Sequence, residues 1–257
     1  MNRLNCKENM TQEYKTKFGF QDVLPEEKTR LVTQVFSSVA SRYDIMNDLM
    51  SGGVHRWWKN QLVFMTRPRP GQKILDVAGG TGDIATRILQ ASGNQAHVTV
   101  CDRNMEMISE GRDRQIDRGS LSGIEWVCGD GAQLPFEDNT FDTYTISFGL
   151  RNITDIAQAI KEAYRVLKPG GQYFCLEFSK VTNPLLKKAY KAYSFGVIPA
   201  IGSIVAKDKD SYQYLVESIE NFPDQETLKQ MIADQGFQQV SYTNLTQGVV
   251  AIHSGIK

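Results

Sequence analysis

The chain has 257 residues, 41% of them apolar and 23% charged, with 29 Lys plus Arg set against 29 Asp plus Glu. That length holds one full α/β domain with added helices, in a composition ordinary for a globular protein. The even charge leaves no basic field to collect nucleic acid, and no such partner is expected. The cysteines Cys6, Cys101, Cys128 and Cys175 show no CxxC spacing, and His55, His97 and His253 lie far apart. No metal site is therefore expected, and the cysteine usage fits a reducing compartment.

Residues 1–17, "MNRLNCKENMTQEYKTK", carry no apolar segment and read as a flexible polar tail rather than a secretory or transit signal. Residues 28–65 read as helical, with Leu31, Val32, Val35, Phe36 and Val39 at helical spacing and a break at Gly52-Gly53. "RPRPG", Arg67 to Gly71, marks a border, so residues 18–72 are expected to form an N-terminal helical cap on residues 73–257. From Lys73 the pattern alternates. "KILDVA", "HVTVCD", "IEWVCGD", "FDTYTISFG" and "QYFCLEFS" read as strands. The segments 82–91, 104–118 and 155–167 between them read as helices, with "KPGG" as a turn. "DQETLKQMIADQGF" reads as a capped helix, and "QQVSYTNLTQGVVAIHSG" as an antiparallel hairpin at the sheet edge. This alternation predicts an α/β fold, a Rossmann-like, doubly wound, mostly parallel sheet.

The segment "KILDVAGGTGDIATRIL" runs from an apolar strand through an acid and small residues into an amphipathic helix. A nucleoside triphosphate loop needs a Lys followed by Ser or Thr after its last Gly, and here Gly82 is followed by Asp83. Gly80-Thr81-Gly82 loosely fits a dinucleotide loop, but Asp83 sits where a pyrophosphate would have to approach. Asp76, inside the strand, can attract a cationic ligand end. S-adenosylmethionine carries a sulfonium and an ammonium and no phosphate, so an acidic loop suits it and disfavours NAD. Asp102, at the second strand's end, can accept two ribose hydroxyls. Asp130 can accept from an adenine amine while the Gly131 N–H donates to a ring nitrogen, and Ser147 at the fourth strand's end can face the ligand. Each has a plainer reading: Thr81 as a helix N-cap, Asp102 and Asp130-Gly131 as turn residues, Ser147 as a satisfied core hydroxyl.

With these motifs the sequence resembles the class I S-adenosylmethionine-dependent methyltransferases, and more narrowly the ubiquinone/menaquinone C-methyltransferases of the UbiE type. The resemblance is carried by "FSSVASRYDIMNDLMSGGVHRWWK", "LDVAGGTGD", "TISFGLRNITD", "RVLKPGG", "LEFSK" and "YSFGVIPAIGSIVAKDKDSYQYLVESIENFPDQETL". Ala78 departs from the Gly usual in the superfamily and matches the quinone family. The resemblance implies a seven-stranded sheet with an antiparallel edge strand, a lid insertion at about residues 184–222, and cofactor contacts at Gly80, Thr81, Asp102, Asp130, Gly131 and Ser147. It also implies that the acceptor is a ring carbon of a polyprenylated quinol.

Such a carbon attacks only when a neighbouring hydroxyl, with a pKa of about 10, is ionised or nearly so. The site must stabilise that phenolate, align the carbon and exclude water. Arg151 and Asn152 follow the fourth strand, at the edge where open α/β sheets bind ligands. Arg151 can stabilise a phenolate or a bound water; the plainer reading is an ion pair with Asp155 or another acid. Tyr43, Asp44 and His55 are further catalytic candidates, with Asp44 or His55 as the base and water as the alternative. The apolar, broken segment Ala189 to Ala206 reads either as a core helix plus loop or as a lid admitting a prenyl chain at a membrane surface. Cytoplasmic placement with peripheral contact at an inner membrane is the expectation. A homodimer and a quinone-biosynthesis complex both stay open, as do a different lipophilic acceptor and a cofactor-binding partner without activity.

Overall fold

The computed structural model describes residues 15–39, 48, 51–117, 119, 122–184, 186, 188, 190, 193, 196 and 209–257. Its strands are β1 (Thr16–Phe18), β2 (Gln21–Val23), β3 (Lys73–Val77), β4 (His97–Asp102), β5 (Ile124–Cys128), β6 (Phe141–Ser147), β7 (Leu167–Phe178), β8 (Gln238–Leu245) and β9 (Val250–Ile256). The helices are α1 (Pro25–Val39), α2 (His55–Thr66), α3 (Asp83–Ala91), α4 (Met105–Asp117), α5 (Ile156–Val166), α6 (Lys209–Asn221) and α7 (Gln225–Asp234). Among the described residues seven strands form one sheet in the order β5-β4-β3-β6-β7-β9-β8. Strands β3 to β7 pair in parallel, while β9 runs antiparallel to both β7 and β8. The expected hairpin is therefore at the edge, with its second strand turned inward.

Parallel strands bury both faces, so β3 reads as an apolar run. One face of the sheet takes Ile74, Val98, Val100, Phe174 and Leu176 against α2 (Trp58, Leu62), α3 (Ile84, Ile88) and α6 (Tyr212, Leu215). The other takes Leu75, Val77, Tyr144, Ile146 and Cys175 against α5 (Ala159, Ile160, Ala163) and α7 (Leu228, Ile232). Each such Leu or Ile, fully buried, contributes about 1.5–3 kcal/mol. Asp155 and Asp224 cap α5 and α7, accepting from the Gln158 and Thr227 amides at 2.9 and 2.8 Å.

Two readings change. Thr16 and Lys17, expected in the tail, belong to a small hairpin of β1 and β2, held by Phe18 stacking on Tyr214 at 4.2 Å between centroids. "KPGG" is not a turn between helix and strand. It is a bulge inside β7: Phe141 pairs with Leu167, yet Thr143 pairs with Gln172, so the residues between loop outward. Gly170, at φ 78°, supplies the left-handed backbone this needs, and its amide donates to the Lys257 carbonyl at 2.8 Å.

Candidate functional site

A cleft opens at the carboxyl ends of β3, β4 and β6, the place where open α/β sheets take ligands. Its floor is Val77, Ala78 and Gly80, Asp102 to Asn104, Gly129 to Ala132, and the segment after β6, with Phe148, Gly149 and Asn152. Helix α1 roofs it with Thr29, Val32, Thr33 and Phe36. The roof is fastened at both rims. Lys28 Nζ donates to the Ile153 carbonyl at 3.1 Å, and the Thr29 and Thr154 hydroxyls share a bond at 3.2 Å. Across the cleft, Asn104 Nδ2 donates to Ser37 Oγ at 3.0 Å.

The floor stores backbone strain. Ala78 and Phe148 end adjacent strands with φ of 50° and 56°, a conformation costly for any side chain and most of all for a bulky one. They leave no room between them: a Cβ on Gly149 would stand 2.4 Å from Ala78 Cβ. Gly131 is equally tight, a Cβ there falling 2.6 Å from Ile153 Cδ1. Gly82 at φ 73° is the N-cap of α3, so the capping place considered for Thr81 belongs to its neighbour.

Two acids organise the loop. Asp102 accepts from the Gly80 amide at 2.9 Å and the Asn104 amide at 2.8 Å, tying the glycine turn to the start of α4. Burial pushes its pKa up, against the backbone N–H groups. Each of its oxygens keeps a lone pair for a ligand. Asp83 opens α3, and Lys59 of α2, itself buried, reaches it at 2.9 Å; Arg87 binds its other oxygen at 2.9 Å. Burial raises the Asp83 pKa, but the two cations outweigh it and hold the carboxyl below its ordinary range.

Beneath the loop lies Asp76, wholly buried. Its Oδ1 accepts from Thr145 Oγ1 at 2.8 Å, while Oδ2 has no hydrogen-bond partner among the described residues. Burial pushes its pKa to about 7, with Thr145 opposing and the nearby charges of Asp102 and Asp83 adding. Ser147, on the same face of β6 as Thr145, also has a buried Oγ without a partner among the described residues. Neither Asp76 nor Ser147 is among the cleft-lining residues, but a buried carboxylate oxygen and a buried hydroxyl without partners, two residues apart in register on one sheet face, are the features a cationic, hydrogen-bonding ligand end would satisfy. Among the described residues the cations near the glycine loop are engaged by acids, Lys59 and Arg87 by Asp83 and Arg103 by Asp130, which does not favour a phosphate. These residues fit S-adenosylmethionine and fit a dinucleotide poorly.

Of the sequence-predicted cofactor residues, Gly80, Asp102, Asp130 and Gly131 line the cleft. Asp130 is already engaged, accepting from the Ala132 amide at 2.9 Å and from Arg103 at 2.5 Å. Thr81 lines a separate small cavity with Thr86, Gly111 and Arg114. Ser147 lies below the floor rather than in it.

Of the catalytic candidates, Asn152 lines the cleft. Arg151 does not; it borders a neighbouring cavity with Lys28 and Tyr214. Its guanidinium is buried against Glu177 at 2.9 Å, so the partner acid is Glu177 and not Asp155. The same guanidinium donates to the Phe148 carbonyl and lies 5.6 Å from the Phe178 ring centroid, which fixes the strained Phe148 in place. His55, buried at the start of α2, shares a bond with Asp48 at 2.8 Å and is not among the cleft-lining residues. Burial lowers its pKa, against the pull of Asp48. Tyr43 and Asp44 lie outside the described residues.

Sequence reading missed Glu177, Tyr214, Asn104 and the roof of α1. Only Glu177 left a signal, an acid inside the apolar run "CLEFS", which when buried needs a cation, a hydrogen-bond partner or a proton.

A family model described as the ubiE/COQ5 methyltransferase family matches residues 22–257. A "Ubiquinone/menaquinone biosynthesis C-methyltransferase UbiE" of Cereibacter sphaeroides is 57% identical over 94% of this chain and 96% of its own. A "2-methoxy-6-polyprenyl-1,4-benzoquinol methylase, mitochondrial" of Danio rerio is 50% identical over 94% of this chain and 84% of its own. Among solved structures, a SAM-dependent methyltransferase of Aquifex aeolicus superposes with a TM-score of 0.54 at 14% identity, over 91% of this chain and 98% of that one. A Haemonchus contortus phosphoethanolamine N-methyltransferase in complex with S-adenosyl-L-methionine gives 0.58 at 17% identity, over 77% and 52%. These two share the fold.

Proposed function

This chain belongs to the ubiE/COQ5 methyltransferase family, S-adenosylmethionine-dependent enzymes that methylate a ring carbon of a polyprenylated quinol, and we propose how its own residues serve that reaction. The observation that carries the reading is the buried acid beneath the loop, with its unshared oxygen. Asp76 and Ser147 hold the cationic amino-acid end of the cofactor, Asp102 its ribose, and Asp130 with Gly131 its adenine, while Gly80 allows close approach. Bound there, S-adenosylmethionine supplies an electrophilic methyl group on sulfonium. The strained Phe148 and Asn152 receive the quinol ring. Asn152 donates to the ring oxygen as it becomes a phenolate, and the Arg151 charge behind it favours the same anion. Residues 18–72 act as the cap on the domain formed by residues 73–257, and residues 184–222, read as a lid, lie partly outside the described residues. The ring proton leaves to Asp44 or to water. Because His55 is held by Asp48, its part is to anchor α2.

Methyl transfer from labelled cofactor, with a short-chain demethylmenaquinol and a reduced 2-methoxy-6-prenyl-benzoquinol offered in parallel, tests this reading. Product on a ring carbon of both acceptors is expected. Tight cofactor binding with no transfer to either would overturn the quinol assignment.

Exposed apolar side chains include Met105 just beyond β4, Val54 and Trp57 at the start of α2, and Phe20 and Leu24 flanking β2. No helix among the described residues is long and apolar enough to cross a membrane. These side chains serve instead as a rim resting on the bilayer that holds a prenylated acceptor, as interfacial Trp and Phe do. The double substitution Phe20→Ser with Trp57→Ser is expected to abolish co-flotation with anionic vesicles. It should leave methylation of a short-chain quinol in detergent within about twofold of the parent. Unchanged flotation would remove this face from consideration.

A further inference from the structure

Asn152 can help a phenolate only if its N–H, and not its carbonyl oxygen, faces the ring, and nothing in the amide itself fixes that choice. The surroundings do. On one side stands the Phe148 carbonyl, 3.4 Å from Asn152 Nδ2, which can only accept. On the other stands the Tyr214 hydroxyl, 2.9 Å from Asn152 Oδ1. We propose that Tyr214 is a positioning residue for the methyl-transfer step, donating its O–H to Asn152 so that the remaining amide N–H is presented to the quinol oxygen.

Tyr214 suits that task. It is 5% exposed and its ring stacks on Phe18, so the hydroxyl is held without rotamer freedom. Burial pushes its phenol well above the ordinary value, against the nearby Arg151 charge, so it remains a proton donor at any working pH. Without the hydroxyl only the long, 3.4 Å contact to the Phe148 carbonyl holds the amide, and a turned amide whose carbonyl oxygen faces a forming phenolate opposes it. Tyr214 also stands on α6, which packs on the sheet through Tyr212 and Leu215. The same bond thereby ties acceptor recognition to the seating of that helix.

The proposal rests on the reading of Asn152 above, and the test separates the two. The probe is a nitrophenol bearing a short prenyl chain, whose ionisation is visible by absorbance. It is bound to the full-length enzyme in the presence of S-adenosylhomocysteine. The parent enzyme is expected to lower the apparent pKa of the bound phenol, and Tyr214→Phe to raise it back by about one unit. Under the same reading kcat for methyl transfer falls about tenfold, the weight of one hydrogen bond to a charged oxygen, with cofactor affinity unchanged. Phe18→Leu, which loosens the stack and keeps the hydroxyl, should leave the phenol's pKa where it was. If Asn152→Ala shifts the phenol and Tyr214→Phe does not, Tyr214 only packs and the proposal fails. If neither shifts it, the reading of Asn152 fails first. If Phe18→Leu shifts it as much as Tyr214→Phe, the effect belongs to the packing of α6 and the proposal is again overturned.

Discussion

Asp76→Asn is expected to make the ligand-free protein more heat-stable at pH 8 while weakening cofactor binding by about two orders of magnitude. The carboxyl is wholly buried with one hydrogen bond, and its pKa is pushed up to about 7 by that burial, against about 3.9 for an unfolded chain. Below about pH 4 the folded and unfolded states both hold the proton, and the group costs nothing in linkage terms. From about pH 4 to 7 only the folded state holds it, so stability falls as pH rises. Above pH 7 both states are ionised and the loss is complete, with an upper bound of about 4 kcal/mol. An amide keeps the bond from Thr145 and never ionises. Thermal unfolding should therefore show the variant and parent diverging by several degrees between pH 4.5 and 8. The binding loss has the size of a charge-assisted hydrogen bond to a cationic ligand end, about 1.5–3 kcal/mol. Because a bound cation draws the carboxyl into its ionised form, cofactor binding at pH 6.5 should release a proton in the parent alone. Calorimetry in two buffers of different ionisation enthalpy would read it. Parallel unfolding curves, or equal proton release from both proteins, would refute the assignment.

Removing Glu177 is the second large effect. Glu177→Ala leaves the Arg151 guanidinium buried without its counter-charge, and loss of one partner of such a pair costs about 3–5 kcal/mol. Replacing both partners by apolar side chains, as Arg151→Met with Glu177→Leu, avoids that isolated charge and should recover most of the stability in urea unfolding. The recovered double variant then separates two roles. If the Arg151 charge supports the phenolate, the double variant stays folded and transfers methyl groups at least a hundredfold more slowly. A folded double variant at full activity would reduce Arg151 to a clamp on Phe148.

What the sequence disclosed follows from where the information sits. Strands β3, β4, β6 and β7 are legible because each is a short apolar run bounded by turn residues, and parallel strands buried on both faces leave that mark. Strands β1 and β2, three residues each, are too short to show a period, and they exist through Phe18 on Tyr214 and the bond from Asn221 to the Gly19 carbonyl. Asp102 and Asp130 could be placed from strand ends alone. The partners of Arg151 and Asn152 could not: Glu177 lies 26 residues on and Tyr214 62 residues on, brought in by the sheet order and by α6. Thr81 illustrates the limit within a motif, because a loop's sequence does not say which of its side chains turns toward the cleft and which toward α4.

The sheet order has a consequence for synthesis on the ribosome. β9 follows both of its neighbours in sequence, yet it is the strand that joins them, and among the described residues β8 pairs with no other strand. Until Val250–Ile256 have left the exit tunnel, β7 presents an open edge of seven residues, Gln172 to Phe178, and β8 has no sheet to join. A nascent chain therefore spends its longest wait in the state most prone to strand pairing with a neighbour. A segment that hinders β9 from sliding between its neighbours would reduce soluble yield without altering a single residue of the cleft.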